Sequence, residues 1–394
     1  MAASRMHGIT SNEFTHGVRS IDEISTNIIG MVCTGDDADA GKFPLNTPVF
    51  HTSAYGVLAQ AGTKGTLAKA LDAVVDQTDA QIVIVRVPES KLTDNGAAQQ
   101  ASTVKGVQAL RRAKALTGYA PKIIGAPELD TQSVAAELAT VAAATNAFAY
   151  VAGLDSDNIS EITAYRENFG QRDLMIIDND FTGFNPVSKQ TEKAATIARI
   201  LGARARLDDS MGWHKSISNT EILGVTGLKH GRTYGLMDKS SEVNTLNNAD
   251  ITTLIRDDGY RVWGNRTCAS DPVWAFESTV RASKIIRETI ASQFLWAMDL
   301  PMHPSLMIDI MMSINAKLAY YVTQGRLLGA RVFFDRTKLD TARVSSGIFA
   351  WDYEFTVPPP LENPEFNQHV SDRFIVNLVD RVVEFGSSVK AVTV

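Results

Sequence analysis

Between residues 28 and 177 the chain repeats one pattern, a short apolar run followed by a stretch whose apolar residues recur at helical spacing. A chain written this way has to pair its short runs into a sheet and lay the amphipathic stretches over the faces, since neither element can bury its apolar side alone. Ile28, Ile29, Gly30, Met31 and Val32 read as a buried strand, and residues 65–76 as a helix carrying Leu67, Leu71, Val74 and Val75. Residues 81–87 form a β-branched run bounded by Asp79 and Pro88, which predicts a strand. A helix over about 102–116 follows with Gly118 as its stop, then a strand at 122–126. Next come a helix opened by Asp130, with Val134, Leu138 and Val141 on one face, and a strand at 148–151. Asn158, with Glu161 three residues on, predicts a capped helix before the last strand, 174–177. Strands joined by helical crossovers run parallel, so the expected class is α/β, a mostly parallel sheet flanked by helices.

Past Phe181 the pattern loosens. One helix is expected over 192–205, and Trp213-His214-Lys215 and Gly224-Val225-Thr226-Gly227 read as ordered loops or short strands. Asp257-Asp258-Gly259 separates two apolar runs, 251–255 and 260–263, as a hairpin turn. Asp271-Pro272, a cap followed by proline at the first helical position, predicts a long helix to about Met298. Pro301 and Pro304 break it, and a further helix is expected over 305–324 with Gly325 as its stop. Strands are expected at 331–335 and 348–357. In the second, Phe349, Trp351, Tyr353, Phe355 and Val357 alternate with Ala350, Asp352, Glu354 and Thr356, one face buried and one wet. Pro358-Pro359-Pro360 end it. The two ends of the chain are thinner. Up to about Thr26 the sequence is polar, with Ile9, Phe14 and Val18 scattered through it. Beyond the prolines, Phe366, Gln368 and Val370 alternate, and 374–383, with Phe374 and Val376, fits helix or strand. Neither end holds enough apolar surface for a core of its own.

Little in the chain looks like chemistry. From Gly35 to Gly41 five residues intervene where a phosphate loop needs four, and Phe43 stands where a magnesium-binding hydroxyl belongs. As a calcium loop counted from Asp37 the same stretch puts Gly41 at a ligand position and Pro48 at the closing glutamate. Asp178-Asn179-Asp180 follows a strand end, a place where α/β proteins hold ligands, but no third metal ligand lies nearby in sequence. No two of the seven histidines fall at helical ligand spacing, and no G-x-S-x-G occurs; His214 reads as a packing residue beside Trp213. Cys33 and Cys268 lack basic neighbours and read as inert thiols, and Met307, Met311 and Met312 as core filler. Thirty-eight basic against 44 acidic residues, with no Lys/Arg run, argue against a nucleic-acid partner. The start lacks the apolar core of a signal peptide and no apolar run could span a bilayer, so the expectation is a soluble protein made in the cytoplasm, with no membrane partner and no cofactor.

Residues 247–267, with I-R-D-D-G-Y-R-V-W-G-N-R-T among them, closely resemble the corresponding stretch of tail sheath proteins from contractile-tailed phages and R-type tailocins. Further matches are His16-Gly17-Val18, Gly30-Met31-Val32-Cys33-Thr34, Phe43-Pro44-Leu45-Asn46, Gly212-Trp213-His214-Lys215, Gly224-Val225-Thr226-Gly227 and Pro358-Pro359-Pro360-Leu361-Glu362-Asn363. The resemblance spans nearly the whole chain and is strongest to the compact sheaths of temperate phages. It implies a structural protein rather than an enzyme. Copies would stack as rings of six around a tail tube, contract on a signal from the baseplate and drive the tube through the bacterial envelope. It implies a subtilisin-like topology for the middle of the chain, and arms at both ends that add strands to neighbouring copies. The arm residues would be Ile9, Phe14, Val18, Phe366, Gln368, Val370, Phe374 and Val376. The expected division is an arm at 1–22, an α/β domain at 23–245, a C-terminal α+β domain at 246–357 and a second arm at 358–394. A helix of the C-terminal domain touches the tube in the family, which points to 305–324, with Lys317 and Arg326 as contacts. Partners would be the chain itself, the tube, baseplate and tail-terminator proteins, in a virion tail or tailocin assembled in the host cytoplasm. The final residues, 384–394, run longer than a compact sheath implies. The competing reading is an α/β hydrolase or nucleotide-dependent enzyme with a site at the strand ends, and each motif it needs fails on spacing.

Overall fold

The computed structural model describes residues 21–90, 96–185 and 189–388. Its central sheet holds β1 (Ile29–Thr34), β2 (Pro48–His51), β3 (Ile82–Val87), β4 (Ile123–Gly125), β5 (Phe148–Ala152) and β6 (Leu174–Ile177), in the order β2-β3-β1-β4-β5-β6. β1 pairs parallel with β3 and β4, β4 with β5, and β5 with β6, while β2 lies antiparallel on the edge beside β3. Every residue of β1, β3, β4 and β6 is buried, the reason these strands read as unbroken apolar runs. The pleat still sorts them. Ile29, Met31 and Cys33 face one side with helices Leu67–Val75 and Thr196–Ser210, whereas Ile28 and Val32 face the other with helices Ala97–Leu110, Gln132–Thr145 and Ile159–Arg166. A Cβ on Gly106 would stand 2.5 Å from Val87 Cγ1 and 2.8 Å from Val32 Cγ1, so the glycine lets its helix lie close on β1 and β3.

Several expected boundaries move for identifiable reasons. The helix expected over 102–116 is two, Ala97–Leu110 and Ala113–Thr117, and Gly118 ends the second in a left-handed conformation. Asp130 does not cap the next helix; Thr131 takes that position, and the Asp130 carboxylate accepts from the Ala152 N–H at 2.5 Å. Asn158 does cap its helix, but Glu161 accepts from Ser156 Oγ and Asn158 Nδ2 rather than closing a box on the backbone. The helix expected from 192 starts at Thr196, because β8 (Gln190–Lys193) pairs with β7 (Phe181–Asn185) and Ala195 turns the chain at φ 46°. β9 (Gly227–Leu228) flanks the other edge of β7.

The hairpin of β10 (Thr253–Arg256) and β11 (Tyr260–Trp263) turns at Asp258 and Gly259, both at positive φ, and sends Leu254 and Val262 into the core cluster under the sheet. Asp271 caps only a short 3-10 turn, Pro272–Trp274; the long helix is Glu277–Gln293. That helix stops before Pro301 and Pro304, and Pro304 is itself the first residue of the next, Pro304–Thr323, since the first helical turn leaves its N–H groups unbonded anyway. These two helices and the hairpin of β12 (Gly329–Phe333) and β13 (Asp352–Thr356) enclose a third cluster around Trp213, Ile286, Ile314, Leu318 and Tyr321. β13 is shorter than the 348–357 strand expected, and Ile348 is exposed, but Trp351, Tyr353 and Phe355 do turn together onto that cluster.

Residues 360–388 belong to a separate unit. Within it a 3-10 turn, Asp372–Phe374, capped by Ser371, leads into the helix Ile375–Ser388, so the segment left open between helix and strand is a helix.

Candidate assembly interface

The place where an α/β enzyme would hold substrate is occupied here by ion pairs. A cleft of about 540 Å³ opens at the C-terminal ends of β4, β5 and β6, lined in part by Lys69, Glu128, Asp130, Asp155, Lys193 and His230. Lys193 pairs with Asp180 at 2.7 Å and Asp155 at 3.4 Å, and the His230 ring lies between Asp155 at 2.9 Å and Asp157 at 2.6 Å. Asp178 is buried against Arg232 at 3.1 Å, while Asn179 accepts from the His230 N–H and donates to its carbonyl. The acids that sequence reading weighed as ligands therefore brace loops. Burial pushes the Asp130 carboxyl up to about 6. Among the described residues no group of three or more His, Cys, Asp or Glu side chains is arranged to hold a metal, and no helix is long and apolar enough to cross a membrane.

The remaining reactive side chains are quiet as well. Cys33 and Cys268 are free and buried, and burial pushes both thiols up to about 12, leaving them protonated. His214 packs edge-on to Trp213 with ring centroids 5.9 Å apart; burial, with Arg326 beside it, pushes it down to about 4. Met307 is buried as core filler, but Met312 is 47% exposed and points away from the core. The turn from Asp36 to Lys42 is fixed by the Asp37 carboxylate, which accepts from the N–H groups of Thr63 and Lys64.

Lys317 and Arg326 come together on Tyr321. The Lys317 ammonium lies 5.0 Å from the Tyr321 ring centroid and 5.2 Å from that of Tyr320. Arg326 lies over Trp213 and Tyr321 and bonds both carboxylate oxygens of Glu23, at 2.9 and 2.8 Å. The Trp213 indole N–H also donates to Glu23. Arg326 thus ties the start of the described chain to the third cluster, with most of its side chain covered.

A feature that sequence reading missed joins the sheet domain to the helix Glu277–Gln293. Arg204, Asp208, Glu277 and Arg281 have almost no exposed side-chain surface and bond one another, with Arg204–Asp208 at 2.5 Å and Arg204–Glu277 at 3.3 Å. The buried Tyr150 hydroxyl donates to Glu277 at 2.6 Å. Burial opposes charge on Arg281, but Asp208, Tyr150 and Glu277 outweigh it and hold its pKa above the ordinary value. Lys284 reaches Asp173 at 2.5 Å and Lys122 reaches Glu288 at 2.5 Å on the same seam. The available signal was two i,i+4 pairs, Arg204/Asp208 and Glu277/Arg281, which on sequence alone look like solvent-facing helix pairs.

At the two ends, Ile9, Phe14 and Val18 lie outside the described residues. Phe366, Gln368, Val370 and Phe374 are described and exposed, with Val370 at 93%, and none of them is in a strand. Val376 lies in the helix Ile375–Ser388; its side chain is outside what the structure describes.

The structure is a mixed α/β fold in which a buried ionic seam ties the helix Thr196–Ser210 to the helix Glu277–Gln293. Comparison with known proteins makes the class specific. Residues 102–268 match the phage tail sheath protein central domain, and residues 269–371 the phage tail sheath C-terminal domain. The chain is 39% identical to the tail sheath protein of Escherichia phage P2, covering 95% of this chain and 98% of that one. It is 36% identical to the major tail sheath protein of Serratia phage KSP20, covering 95% and 97%. The fold matches the helical sheath of the anti-feeding prophage in its contracted state with TM-score 0.71 at 16% identity, covering 94% of this chain and all of that one. It also matches the contracted sheath complex of an extracellular contractile injection system, with TM-score 0.69 at 14% identity. The chain belongs to the phage tail sheath family, and it is a structural protein of the contractile tail rather than an enzyme.

Proposed function

We propose that copies of this chain stack as rings of six into a helical sheath around a tail tube, and contract on a signal from the baseplate to drive the tube through a bacterial envelope. The observation that carries this beyond family membership is that the far end of the chain has no core of its own: Phe366, Val370 and Phe374 are all more than two-thirds exposed. Residues 1–22 and 358–394 act as arms that reach neighbouring copies and add strands to them, in the second arm from residues 361–371 ahead of its helix, and the two-stranded sheet of β12 and β13 offers edges for them. Each added backbone hydrogen bond is worth about 0.5–1.5 kcal/mol, so a strand of several holds copies together while the bodies between the arms, 23–245 and 246–357, rotate as units. The tube, baseplate and tail-terminator proteins are the other partners, in a virion tail or tailocin assembled in the host cytoplasm. The helix Pro304–Thr323 faces the tube, with Lys317 on it and Arg326 just past its end as the basic groups; Ile308, Met312 and Tyr320, each close to half exposed, lie on its outward side. A subtilisin-like topology for the sheet domain belongs to the same reading.

Negative-stain electron microscopy of the overexpressed protein tests it. Tubules or large oligomers are expected. Variants lacking residues 1–20 or 371–394 should remain folded subunits that do not polymerise, and normal assembly of both truncations on gel filtration would overturn the role of the arms.

A further inference from the structure

The helix Ile375–Ser388 begins past residue 371, where the match to the family's C-terminal domain ends. Its sequence divides by side. Ile375, Leu378, Val379, Val382, Val383 and Phe385 fall on one half of the helix, and Asn377, Asp380, Arg381, Glu384 and Ser387 on the other. The apolar half is exposed, from 54% at Val379 to 74% at Phe385. A valine-rich helix of 14 residues is marginal in isolation, so this one needs a surface to cover that half.

A surface of matching character lies between the helices Glu277–Gln293 and Pro304–Thr323. Leu295 (77%), Met298 (65%), Leu300 (45%) and Met302 (38%) are all exposed there, with no lysine or arginine among residues 295–303. Backbone bonds between near neighbours in sequence hold this ledge in shape: Met298 N–H to Leu295 carbonyl at 3.3 Å, Leu300 to Ala297 at 3.3 Å and His303 to Pro301 at 2.9 Å. Unbranched methionine and leucine side chains adapt readily to an incoming apolar helix.

We propose that the Ile375–Ser388 helix of each copy seats its apolar half on the Leu295–Met302 ledge of a second copy. This rests on the polymer reading above. Pro358-Pro359-Pro360 extend the exit from the body, and residues 361–371, which hold no helix or strand, span up to about 36 Å when extended. A body of this size has a radius of gyration of about 21 Å, so the tether is long enough to reach an adjacent copy. Helix and ledge are different surfaces, so the contact is head-to-tail: it passes from copy to copy and builds a ring or helix, where a self-matching patch would stop at a dimer.

Cysteine cross-linking in the full-length chain tests the seat, because the native Cys33 and Cys268 are buried and unreactive. Val382→Cys and Met298→Cys chains are co-assembled, oxidised mildly and run on a non-reducing gel. The mixture should give covalent dimers at least tenfold above Val382→Cys mixed with Met237→Cys, a control at a residue 95% exposed elsewhere. A single chain carrying Val382→Cys and Met298→Cys should give a ladder of dimers and longer species. Leu378→Asp should cut the yield about tenfold, whereas Asn377→Asp on the opposite half leaves it unchanged. A fast-running cross-linked monomer, or equal yield with the control, overturns the proposal. Tubules that form without cross-links refute the seat and leave the polymer reading standing; chains that stay monomeric by light scattering refute both.

Discussion

Asparagine in place of Asp208 keeps the shape of the side chain and removes its charge. In the folded protein Asp208 has no exposed side-chain surface and bonds both Arg204, at 2.5 Å, and Arg281. The substitution leaves two buried guanidiniums facing the single carboxylate of Glu277, which is farther away at 3.3 and 3.7 Å and already accepts from Tyr150. Removing one partner of a buried pair costs about 3–5 kcal/mol. Asp208 serves two cations but asparagine keeps one acceptor oxygen, so about 4 kcal/mol is expected, a fall in Tm of about 5 °C for a chain this large. Calorimetry or urea unfolding of unassembled subunits measures it. Adding Arg281→Met restores one cation against one anion, so the double variant should recover at least about 2 kcal/mol relative to Asp208→Asn. A single variant within about 1 kcal/mol of the parent, or two substitutions that simply add, would refute the idea that charge balance holds this seam.

Three further outcomes follow from individual residues. Burial pushes Lys284 from 10.5 down to about 8 although Asp173 opposes it, so between those two pH values the unfolded chain binds more protons and this group makes stability rise with pH; Lys284→Met should flatten that rise in urea midpoints, and an unchanged slope would contradict it. Asp130, lifted by burial from 3.8 to about 6, costs stability as pH rises through that window. Asp130→Asn should therefore add up to about 2 kcal/mol at pH 7.5 and nothing at pH 4, and a gain of equal size at both would exclude the carboxylate as its source. Gly106→Ala gains about 1 kcal/mol of helix propensity but drives a Cβ into Val87 and Val32, so a net loss of about 1–2 kcal/mol in thermal unfolding is expected, and a stabilised variant would show that the helix can retreat.

The sheet domain was legible because two periods coexist in it: residues 29, 31 and 33 alternate with 28 and 32 across a pleat, while Leu67, Leu71 and Val74 recur along a helix. β2 was not, since four residues starting with proline, Pro48-Val49-Phe50-His51, show no clean alternation and suit only an edge. The polar strand β8 looked like the first turn of the following helix, because Glu192 and Lys193 favour a helix unless the pairing with β7 is known. Pro304 was expected to help end the preceding helix; that helix stops earlier, at Gln293, and Pro304 is the first residue of the next. The buried ions were invisible as such, because spacing reveals that Arg204 and Asp208 share a face and not that Glu277 and Arg281, far along the chain, close over them. For Lys317 and Arg326 the sequence indicated charge, whereas the structure adds that Arg326 already holds Glu23.

Electron cryomicroscopy of the assembled particle, at a resolution that traces the chain through residues 1–22 and 358–394, bears most directly on how the subunits hold one another. The expected map carries both ends out of one body and into the bodies of adjacent copies, with β12–β13 enlarged by added strands. A map in which both ends fold back onto the body they come from would contradict it.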